Sequence, residues 1–227
     1  MAREKVFASP EVALGDVFSG AVVLVSGFAA SGRPEGLLRA LKESGVGDLT
    51  LVFTHGTGTD ALGASDGVAE LITNSQVSKL ISPLPFSPGA GGVVEERWRG
   101  GLMDIEVVPQ GILAERLRAG GAGLGGVFLP DAVGTRYADG KESRTFDGAS
   151  TVLELPLKAD YALIKAQAGD SLGNLVYDGT DRNWGPVIAM AATVAIAEVD
   201  QLYEPGGLDP EVVITPGIFV NRIVASK

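Results

Sequence analysis

Apolar residues in the first part of the chain follow two different periods. Ala21–Val25 is a continuous apolar run rich in β-branched residues, which is typical of a strand buried on both faces, and Leu49–Phe53 is a second strand-like run. Between them, leucines recur at helical spacing from Pro34, a residue type favoured at the first helical position, to Gly45, a residue type that ends helices. The pattern predicts a strand, a helix and a second strand joined by short loops.

The same alternation continues to residue 129. The predicted elements are, in chain order, a helix, a strand, a weak helix, a strand, a helix and a strand: Val68–Ile72, Lys79–Ser82, Val93–Trp98, Ile105–Val108, Ile112–Leu117 and Val127–Leu129. Strands and helices that alternate in this way favour right-handed crossovers and a mostly parallel sheet.

The second half of the chain is richer in strand patterns. Two Asp-Gly pairs, at 139–140 and 147–148, flank Lys141–Phe146 and indicate a β-hairpin there. Four more segments are predicted to be extended: Thr151–Leu157, Tyr161–Lys165, Leu175–Tyr177 and Thr193–Val199. No linker-like stretch separates the halves, so we predict one α/β domain over residues 1–227. Its architecture is expected to be an open, mostly parallel sheet flanked by helices, with added antiparallel strands in the C-terminal half.

Composition and charge narrow the possible function classes. Of the 227 residues, 45% are apolar, which is too many for a disordered chain. The chain carries 28 acidic and 18 basic side chains, a net charge of −10. A negative field of this size repels nucleic-acid backbones and anionic lipid, which argues against nucleic acid and membrane as partners.

The rarest residue types exclude several kinds of chemistry. The chain has no cysteine and one histidine, so we expect no disulfide, no metal site and no cysteine nucleophile. The first residues lack the apolar core of a secretory signal, and no apolar run is long enough to span a bilayer. We therefore expect a cytoplasmic protein.

A loop of small residues, which we call the glycine loop, follows the first predicted strand and precedes the first predicted helix. At the carboxyl edge of an open α/β sheet, such a loop borders the crevice in which ligands bind. Small residues let backbone N–H groups approach a ligand, and a helix N-terminus favours an anionic group. The loop is therefore either a binding loop or an ordinary tight turn. Its residues are Ser26, Gly27, Phe28, Ala29, Ala30, Ser31 and Gly32.

Two other glycine-containing segments invite a functional interpretation. The spacing of Gly121, Gly123 and Gly126 matches the dinucleotide-binding fingerprint, but a helix precedes it and a strand follows. The fingerprint needs the opposite order, so we interpret these glycines as a helix end and a chain reversal. His55 ends the second predicted strand and opens another glycine-rich loop. It is either a structural residue or a functional one oriented by Asp60, which could also simply cap the next segment.

Several polar residues fall inside or beside predicted elements. Arg182 and Asn183 precede an apolar helix, where they either belong to a site or, more simply, satisfy backbone donors of a loop. We interpret Glu95–Arg97 as a solvated helix face. Glu154 and Glu198 lie within strand patterns, where either could be a paired carboxylate. From its residues alone, the chain is predicted to be an α/β binding domain without a self-sufficient catalytic constellation.

Short motifs occur in a characteristic order along nearly the whole chain. The first combines Ser19-Gly20, an apolar run, Ser26-Gly27-Phe28 and Gly32-x-Pro34. The others are Pro109–Gly123, Val133-Gly134-Thr135, Phe146-Asp147-Gly148, Arg182-Asn183, Gly207–Pro210 and Thr215-Pro216-Gly217. This series resembles the family I CoA-transferases. Within that family the chain is similar to the A, or α, subunits of bacterial two-subunit enzymes for 3-oxoacids such as 3-oxoadipate.

The resemblance implies a reaction, a partner and a site. A glutamate carboxylate attacks a donor acyl-CoA, takes up CoA as a thioester and passes it to an acceptor acid in ping-pong fashion. In two-subunit members this glutamate lies on the B subunit, in a Ser-Glu-Asn-Gly motif that the present chain lacks. The resemblance thus implies a B-subunit partner in a heterodimer or heterotetramer, with a CoA thioester as substrate and no permanently bound cofactor. It places the glycine loop against CoA.

The same resemblance places Gln110 near the reacting acyl group. Gln110 follows a predicted strand and precedes a helix, so its amide either faces the crevice or caps that helix. An uncharged amide can donate to a developing oxyanion without repelling an anionic acid.

The chain departs from the family pattern at three places. Ser26 replaces the first glycine of the loop motif, His55 stands where an amide residue is usual, and Pro83–Gly89 differs from the usual loop. We expect His55 to shape the choice of acyl group in a supporting role beside Gln110. The alternatives are a CoA-ester hydrolase, or another CoA-ester enzyme on the same scaffold, and a non-catalytic ligand-binding α/β domain.

Overall fold

A computed structural model describes residues 4–29, 31–54, 67–86 and 92–226. Within these residues, seven parallel strands form the central sheet in the order β11-β10-β8-β1-β2-β3-β4. These strands are β1 Val22–Val25, β2 Leu49–Val52, β3 Val77–Ser82, β4 Asp104–Val107, β8 Ala159–Asp170, β10 Ala192–Tyr203 and β11 Arg222–Ala225. The short strand β9, Leu175–Val176, pairs antiparallel with β8.

Six α-helices and a second sheet complete the described part of the chain. The helices are α1 Pro10–Ala13, α2 Glu35–Ser44, α3 Gly67–Thr73, α4 Val93–Arg99, α5 Gln110–Gly121 and α6 Gly185–Ala191. The second sheet is antiparallel, in the order β5-β7-β6, with β5 Val127–Leu129, β6 Ser143–Phe146 and β7 Ala149–Glu154. None of the described helices is long and apolar enough to cross a bilayer.

The central sheet is buried on both faces, as the continuous apolar runs predict. Val23 and Val25 of β1 belong to one apolar cluster, together with Leu37 of α2. Leu24 points to the other face and belongs to a second cluster, together with Ile112 of α5. Because successive strand residues face opposite sides, a strand with a helix layer on each face must be apolar at every position. The predicted fold class is confirmed.

The antiparallel strands agree with the Asp-Gly signals only in part. Asp147 and Gly148, both at positive φ (49° and 81°), form the two-residue turn that joins β6 to β7. The earlier pair, Asp139-Gly140, follows a 3₁₀ turn at Arg136–Ala138 instead of a strand. The predicted hairpin therefore exists, but it lies on the second pair, where the turn residues adopt the left-handed conformations that a two-residue hairpin needs.

The interpretation of Glu95–Arg97 as a solvated helix face is wrong for Glu95. This residue is only 6% exposed, whereas Glu96 is exposed. Arg99, four residues further along α4, donates to Glu95 Oε1 at 2.7 Å and supplies the opposite charge that burial requires. Because charged residues dominate this segment, the sequence pattern does not indicate that Glu95 faces the interior.

Glu154 and Glu198 are both buried and paired, so each is a paired carboxylate. Lys141 lies 2.6 Å from Glu154. Glu198, 6% exposed in β10, accepts a hydrogen bond from the backbone N–H of Leu37 at 2.9 Å and one from the Ser226 hydroxyl at 3.1 Å. Since Leu37 lies in the first turn of α2, a strand carboxylate satisfies one of the free N–H groups of that helix.

We predict that Glu198→Ala lowers the free energy of unfolding by about 2–3 kcal/mol, because hydrogen bonds to charged groups contribute about 1.5–3 kcal/mol. Lys165, 3.6 Å from Glu198, keeps Asp200 as a second partner, so no lone buried cation adds to this cost. Chemical denaturation measures the change. The control Glu204→Ala, at an exposed position, should stay within about 0.5 kcal/mol of the wild type. Equal effects of the two substitutions would contradict the capping role.

Candidate active site

The glycine loop leaves β1 and folds back on itself. Ser26 is fully buried, and its hydroxyl donates to the carbonyl of Gly32 at 2.7 Å while accepting from the backbone N–H of Lys165 at 3.0 Å. Phe28 and Ser31 exchange two backbone hydrogen bonds of 3.0 and 3.1 Å. Ser26 therefore ties the two ends of the loop together and anchors them to β8.

Two glycines allow close packing around this loop. Gly27 has φ of 120°, and a Cβ there would lie 2.5 Å from Cγ of Arg33. Gly32 has φ of 71°, and a Cβ there would lie 2.6 Å from the carbonyl oxygen of Asp181 and 2.8 Å from Nδ2 of Asn183. Any side chain at Gly32 would push the loop away from the segment Gly179–Asn183, which we call the polar turn.

Asn183 connects the polar turn to the glycine loop. Its Oδ1 accepts from the N–H of Gly27 at 3.1 Å and from the N–H of Trp184 at 2.6 Å. Its Nδ2 donates to the carbonyls of Ser31 at 3.2 Å and Thr180 at 3.0 Å. The simpler interpretation, that Asn183 satisfies backbone donors of its own loop, covers only the Trp184 contact. The contacts to the glycine loop give it a wider positioning role.

Ser31 adds a second set of contacts between the same two segments. Its hydroxyl donates to the carboxylate of Asp181, and its oxygen lies 3.1 Å from that of Thr180. The backbone N–H groups of Gly27, Phe28 and Ser31 are all engaged within the protein. The prediction that small residues let backbone donors reach a ligand is therefore wrong for these three, because neighbouring protein groups already use them.

The glycine loop, the start of α5 and the polar turn surround a cavity of about 740 Å³. The described residues that line it are Phe28, Ser31, Gln110, Gly179, Thr180, Arg182, Asn183 and Trp184. Loops that follow β1 and β4 meet here because parallel strands bring their carboxyl ends to the same edge of the sheet. Three residues predicted for the site, Phe28, Ser31 and Gln110, therefore share one cavity.

Gln110 occupies the first helical position of α5, directly after the N-cap residue Pro109. No side chain caps this helix, and the Gln110 amide makes no hydrogen bond with any described residue. The alternative role of Gln110 as a helix cap is thus wrong. Its side chain is exposed at the cavity wall with its donor and acceptor uncommitted within the described part of the chain.

Two aromatic residues lie at and next to the cavity wall. Trp184, 8% exposed, lines the cavity, and Gly185 beside it packs against the ring of Tyr177. Burial raises the pKa of Tyr177 to about 12, and its hydroxyl lies 2.7 Å from that of Thr215. Tyr177 therefore stays neutral over the physiological pH range and adds no charge beneath the site.

Some predicted site residues lie elsewhere or outside the described residues. Ser26 and Gly27 stand behind the cavity wall, where they shape the loop, and Ala29 turns it at φ of 52°. Ala30, His55 and the glycines that follow His55 lie outside the described residues. Of the Pro83–Gly89 segment, the structure describes Pro83 to Phe86.

Residues 7–226 match the family model of coenzyme A transferases. The chain belongs to this family. The prediction made from its motifs is therefore confirmed, and the glycine loop and Gln110 belong to a CoA-transferase chain.

Two relatives show how far the similarity extends. The chain is 45% identical over 221 residues to the A subunit of 3-oxoadipate CoA-transferase from Pseudomonas putida, covering 97% of this chain and 93% of that protein. It is 43% identical over 216 residues to the alpha chain of acetate CoA-transferase from Escherichia coli K12, covering 95% and 94%. The names of these two relatives give different acids, and the chain is almost equally identical to both. Overall sequence similarity therefore does not indicate which acid this chain acts on.

A solved structure supports the same fold. The acyl-CoA transferase from Escherichia coli O157:H7, in a thioester complex with CoA, superimposes with a TM-score of 0.84 at 20% identity. The match covers 99% of this CoA-transferase chain and 48% of that chain, so the present chain spans about half its length.

Sequence reasoning undervalued the polar turn of this CoA-transferase chain. Asn183 is 156 residues from its partner Gly27, and no periodic pattern links positions that far apart. The available signal was the polar run Asp181-Arg182-Asn183 immediately before an apolar helix that follows two predicted strands.

We predict that Asn183→Ala loosens the glycine loop while the core keeps its protection. Loss of the contacts to Gly27 and Ser31 removes two hydrogen bonds worth about 1 kcal/mol each, so amide exchange in peptides spanning residues 26–33 should accelerate about 30-fold. Hydrogen–deuterium exchange measured by mass spectrometry tests this. The control is Asn221→Ala, which removes a 2.7 Å bond to the N–H of Ala195 away from the cavity. Unchanged exchange at residues 26–33 in Asn183→Ala would contradict the positioning role.

Proposed function

We propose that this chain is the A subunit of a two-subunit CoA-transferase, and that residues 1–227 form its single CoA-transferase domain. The enzyme moves CoA from an acyl-CoA donor, such as succinyl-CoA, to the carboxylate of a 3-oxoacid in the cytoplasm. The observation that carries the proposal is the cavity itself. It joins the glycine loop and Gln110 in a member of the CoA-transferase family, yet its described lining contains no carboxylate to act as nucleophile.

A second chain is proposed to supply that nucleophile. The relatives are named as subunits, and the superimposed acyl-CoA transferase has about twice the length of this chain. Both facts support a B subunit that corresponds to the part of the longer protein not matched here. The Ser-Glu-Asn-Gly motif expected around the catalytic glutamate is absent from this sequence, which supports the same division.

The proposed reaction proceeds by exchange of CoA on the partner's glutamate. The glutamate carboxylate attacks the donor thioester carbonyl and releases CoA thiolate, which leaves a mixed anhydride. The thiolate then attacks the glutamyl carbonyl, so that the donor acid leaves and a glutamyl-CoA thioester remains. The acceptor acid takes CoA by the reverse of these steps, and the thioester energy is retained throughout. CoA enters as part of a substrate, and no permanently bound cofactor takes part.

The residues of this chain are proposed to bind and to stabilise charge. The ring of Phe28, which is 43% exposed, and the hydroxyl of Ser31 are the parts of the glycine loop that contact the CoA thioester. The Gln110 amide donates a hydrogen bond to the oxyanion that develops on the reacting carbonyl. His55, which lies outside the described residues, is proposed on sequence grounds to influence which acyl group is accepted.

The first test is reconstitution of the complex. The purified chain alone should transfer no CoA, whereas a mixture with a partner containing the Ser-Glu-Asn-Gly motif should transfer CoA from succinyl-CoA to a 3-oxoacid. Thioester absorbance measures transfer, and intact mass spectrometry should find CoA on the partner and not on this chain. Replacement of the motif glutamate by alanine is the control and should abolish both signals. Full turnover by this chain alone, or hydrolysis without transfer, would contradict the proposal.

The second test concerns Gln110. In the reconstituted complex, Gln110→Ala should lower kcat about 100-fold, the usual effect of losing one oxyanion donor. The melting temperature should stay within about 2 °C, because the amide caps no helix and alanine is a good helix former. The control Gln167→Ala removes an exposed amide from β8 and should change neither quantity. Normal kcat in Gln110→Ala would remove this residue from the reaction.

A further inference from the structure

Arg182 stands out among the residues of the cavity. It ends the 3₁₀ turn Gly179–Arg182, lines the cavity and is exposed. Among the described residues of the lining, it is the one that carries a formal charge. Its guanidinium makes no hydrogen bond or ion pair with any described residue.

Most other arginines in the described part of this acidic chain are ion-paired, whereas Arg39, Arg97 and Arg136 are not; Arg182 differs from these three by its place in the cavity lining. Arg99, Arg116, Arg118, Arg144 and Arg222 each pair with a carboxylate. Acidic residues are also close to Arg182 in sequence. The neighbouring Asp181 carboxylate accepts from the Ser31 hydroxyl instead of the guanidinium, and Asp178 is exposed at the start of the turn.

The backbone on both sides of Arg182 is held in place. Asp181 and Asn183 are both bonded to the glycine loop, and Gly32 packs directly against the backbone of Asp181. The backbone of Arg182 is thus fixed at the cavity wall, while its guanidinium has no partner among the residues that the structure describes. This arrangement suits recognition of an anion, since the backbone that carries the guanidinium needs no further ordering when the ligand binds.

We infer that Arg182 binds an oxyanion of the substrate at a distance from the reacting carbonyl. A guanidinium forms paired hydrogen bonds with either a phosphate or a carboxylate. The inference rests on the proposed function, which offers two sources of such a group: a phosphate of CoA, or the second carboxylate of a dicarboxylic 3-oxoacid. Gln110 at the same cavity is uncharged, so the reacting group and the anchoring anion are bound by different residues.

The experiment compares matched substrates in the reconstituted complex. For the donor, a CoA thioester is compared with the corresponding pantetheine thioester, which lacks the phosphates. For the acceptor, 3-oxoadipate is compared with 3-oxohexanoate, which lacks the second carboxylate. The variants are Arg182→Gln and Arg182→Lys, and the control is Arg39→Gln, which removes the same charge from an exposed position in α2.

We expect Arg182→Gln to raise KM at least tenfold for either the CoA thioester or 3-oxoadipate. For the matching compound that lacks the phosphates or the second carboxylate, KM should rise less than threefold. Arg182→Lys should recover part of the loss, and Arg39→Gln should behave as the wild type. Selectivity in the donor pair would identify a phosphate of CoA, and selectivity in the acceptor pair a carboxylate. Equal losses for all four compounds, or changes below threefold for all, would overturn the inference.

Titration calorimetry with CoA, pantetheine, adipate and hexanoate separates this inference from the proposed function. A complex that binds CoA or adipate in an Arg182-dependent manner but transfers no CoA would retain the anion site and reject the proposed reaction. A complex that transfers CoA with the same affinities and KM values in the wild type and in Arg182→Gln would support the proposed reaction and reject the anion site.

Discussion

The geometry of the candidate site depends on one side-chain amide. Asn183 accepts from the N–H of Gly27 and donates to the carbonyl of Ser31, which joins the polar turn to the glycine loop. An amide carries both a donor and an acceptor, so it can satisfy an N–H and a carbonyl of the same loop. Gly32 makes the approach possible, because a side chain there would overlap with Asp181. Together with the contacts from the Ser31 hydroxyl to Asp181 and Thr180, these contacts fix the distance between two walls of the cavity.

The central sheet positions the glycine loop at both of its ends. At the start, the N–H of Ser26 donates to Leu163 at 2.9 Å and its hydroxyl accepts from Lys165, so β8 fixes the exit from β1. After the loop, Glu198 of β10 binds the N–H of Leu37 and fixes the first turn of α2. Strands that are distant in sequence but central in the sheet therefore determine where a seven-residue loop can lie.

Local patterns predicted the elements and part of the site. A continuous apolar run identified β1 as buried on both faces, and a loop of small residues between a strand and a helix identified the wall that contains Phe28 and Ser31. Both inferences need only neighbouring residues, because burial and turn formation leave periodic traces in the sequence. The position of Gln110 after β4 followed from the same logic.

The remaining features depend on contacts that leave no such trace. The link between Asn183 and Gly27 spans 156 residues, and the burial of Glu95 depends on the tertiary packing of α4. The use of the loop's N–H groups by the protein itself was also invisible in the sequence. Small residues indicate that a backbone can be approached, but whether a ligand or a protein group approaches it is decided by the tertiary fold.

The saturated loop changes what the cavity can contribute to CoA transfer. With three N–H groups of the loop engaged internally, Gln110 and Arg182 are polar groups of the described lining whose side chains remain available. In the proposed reaction, a carboxylate nucleophile from a partner is best served by an uncharged neighbour, since an adjacent cation would stabilise its charge and weaken its attack. The neutral amide of Gln110 meets that requirement. The cation at Arg182 lies on the polar turn, where the inferred site would hold an anionic part of the substrate. The proposed cavity would thus bind a charged ligand through one residue and leave the partner's carboxylate beside an uncharged one.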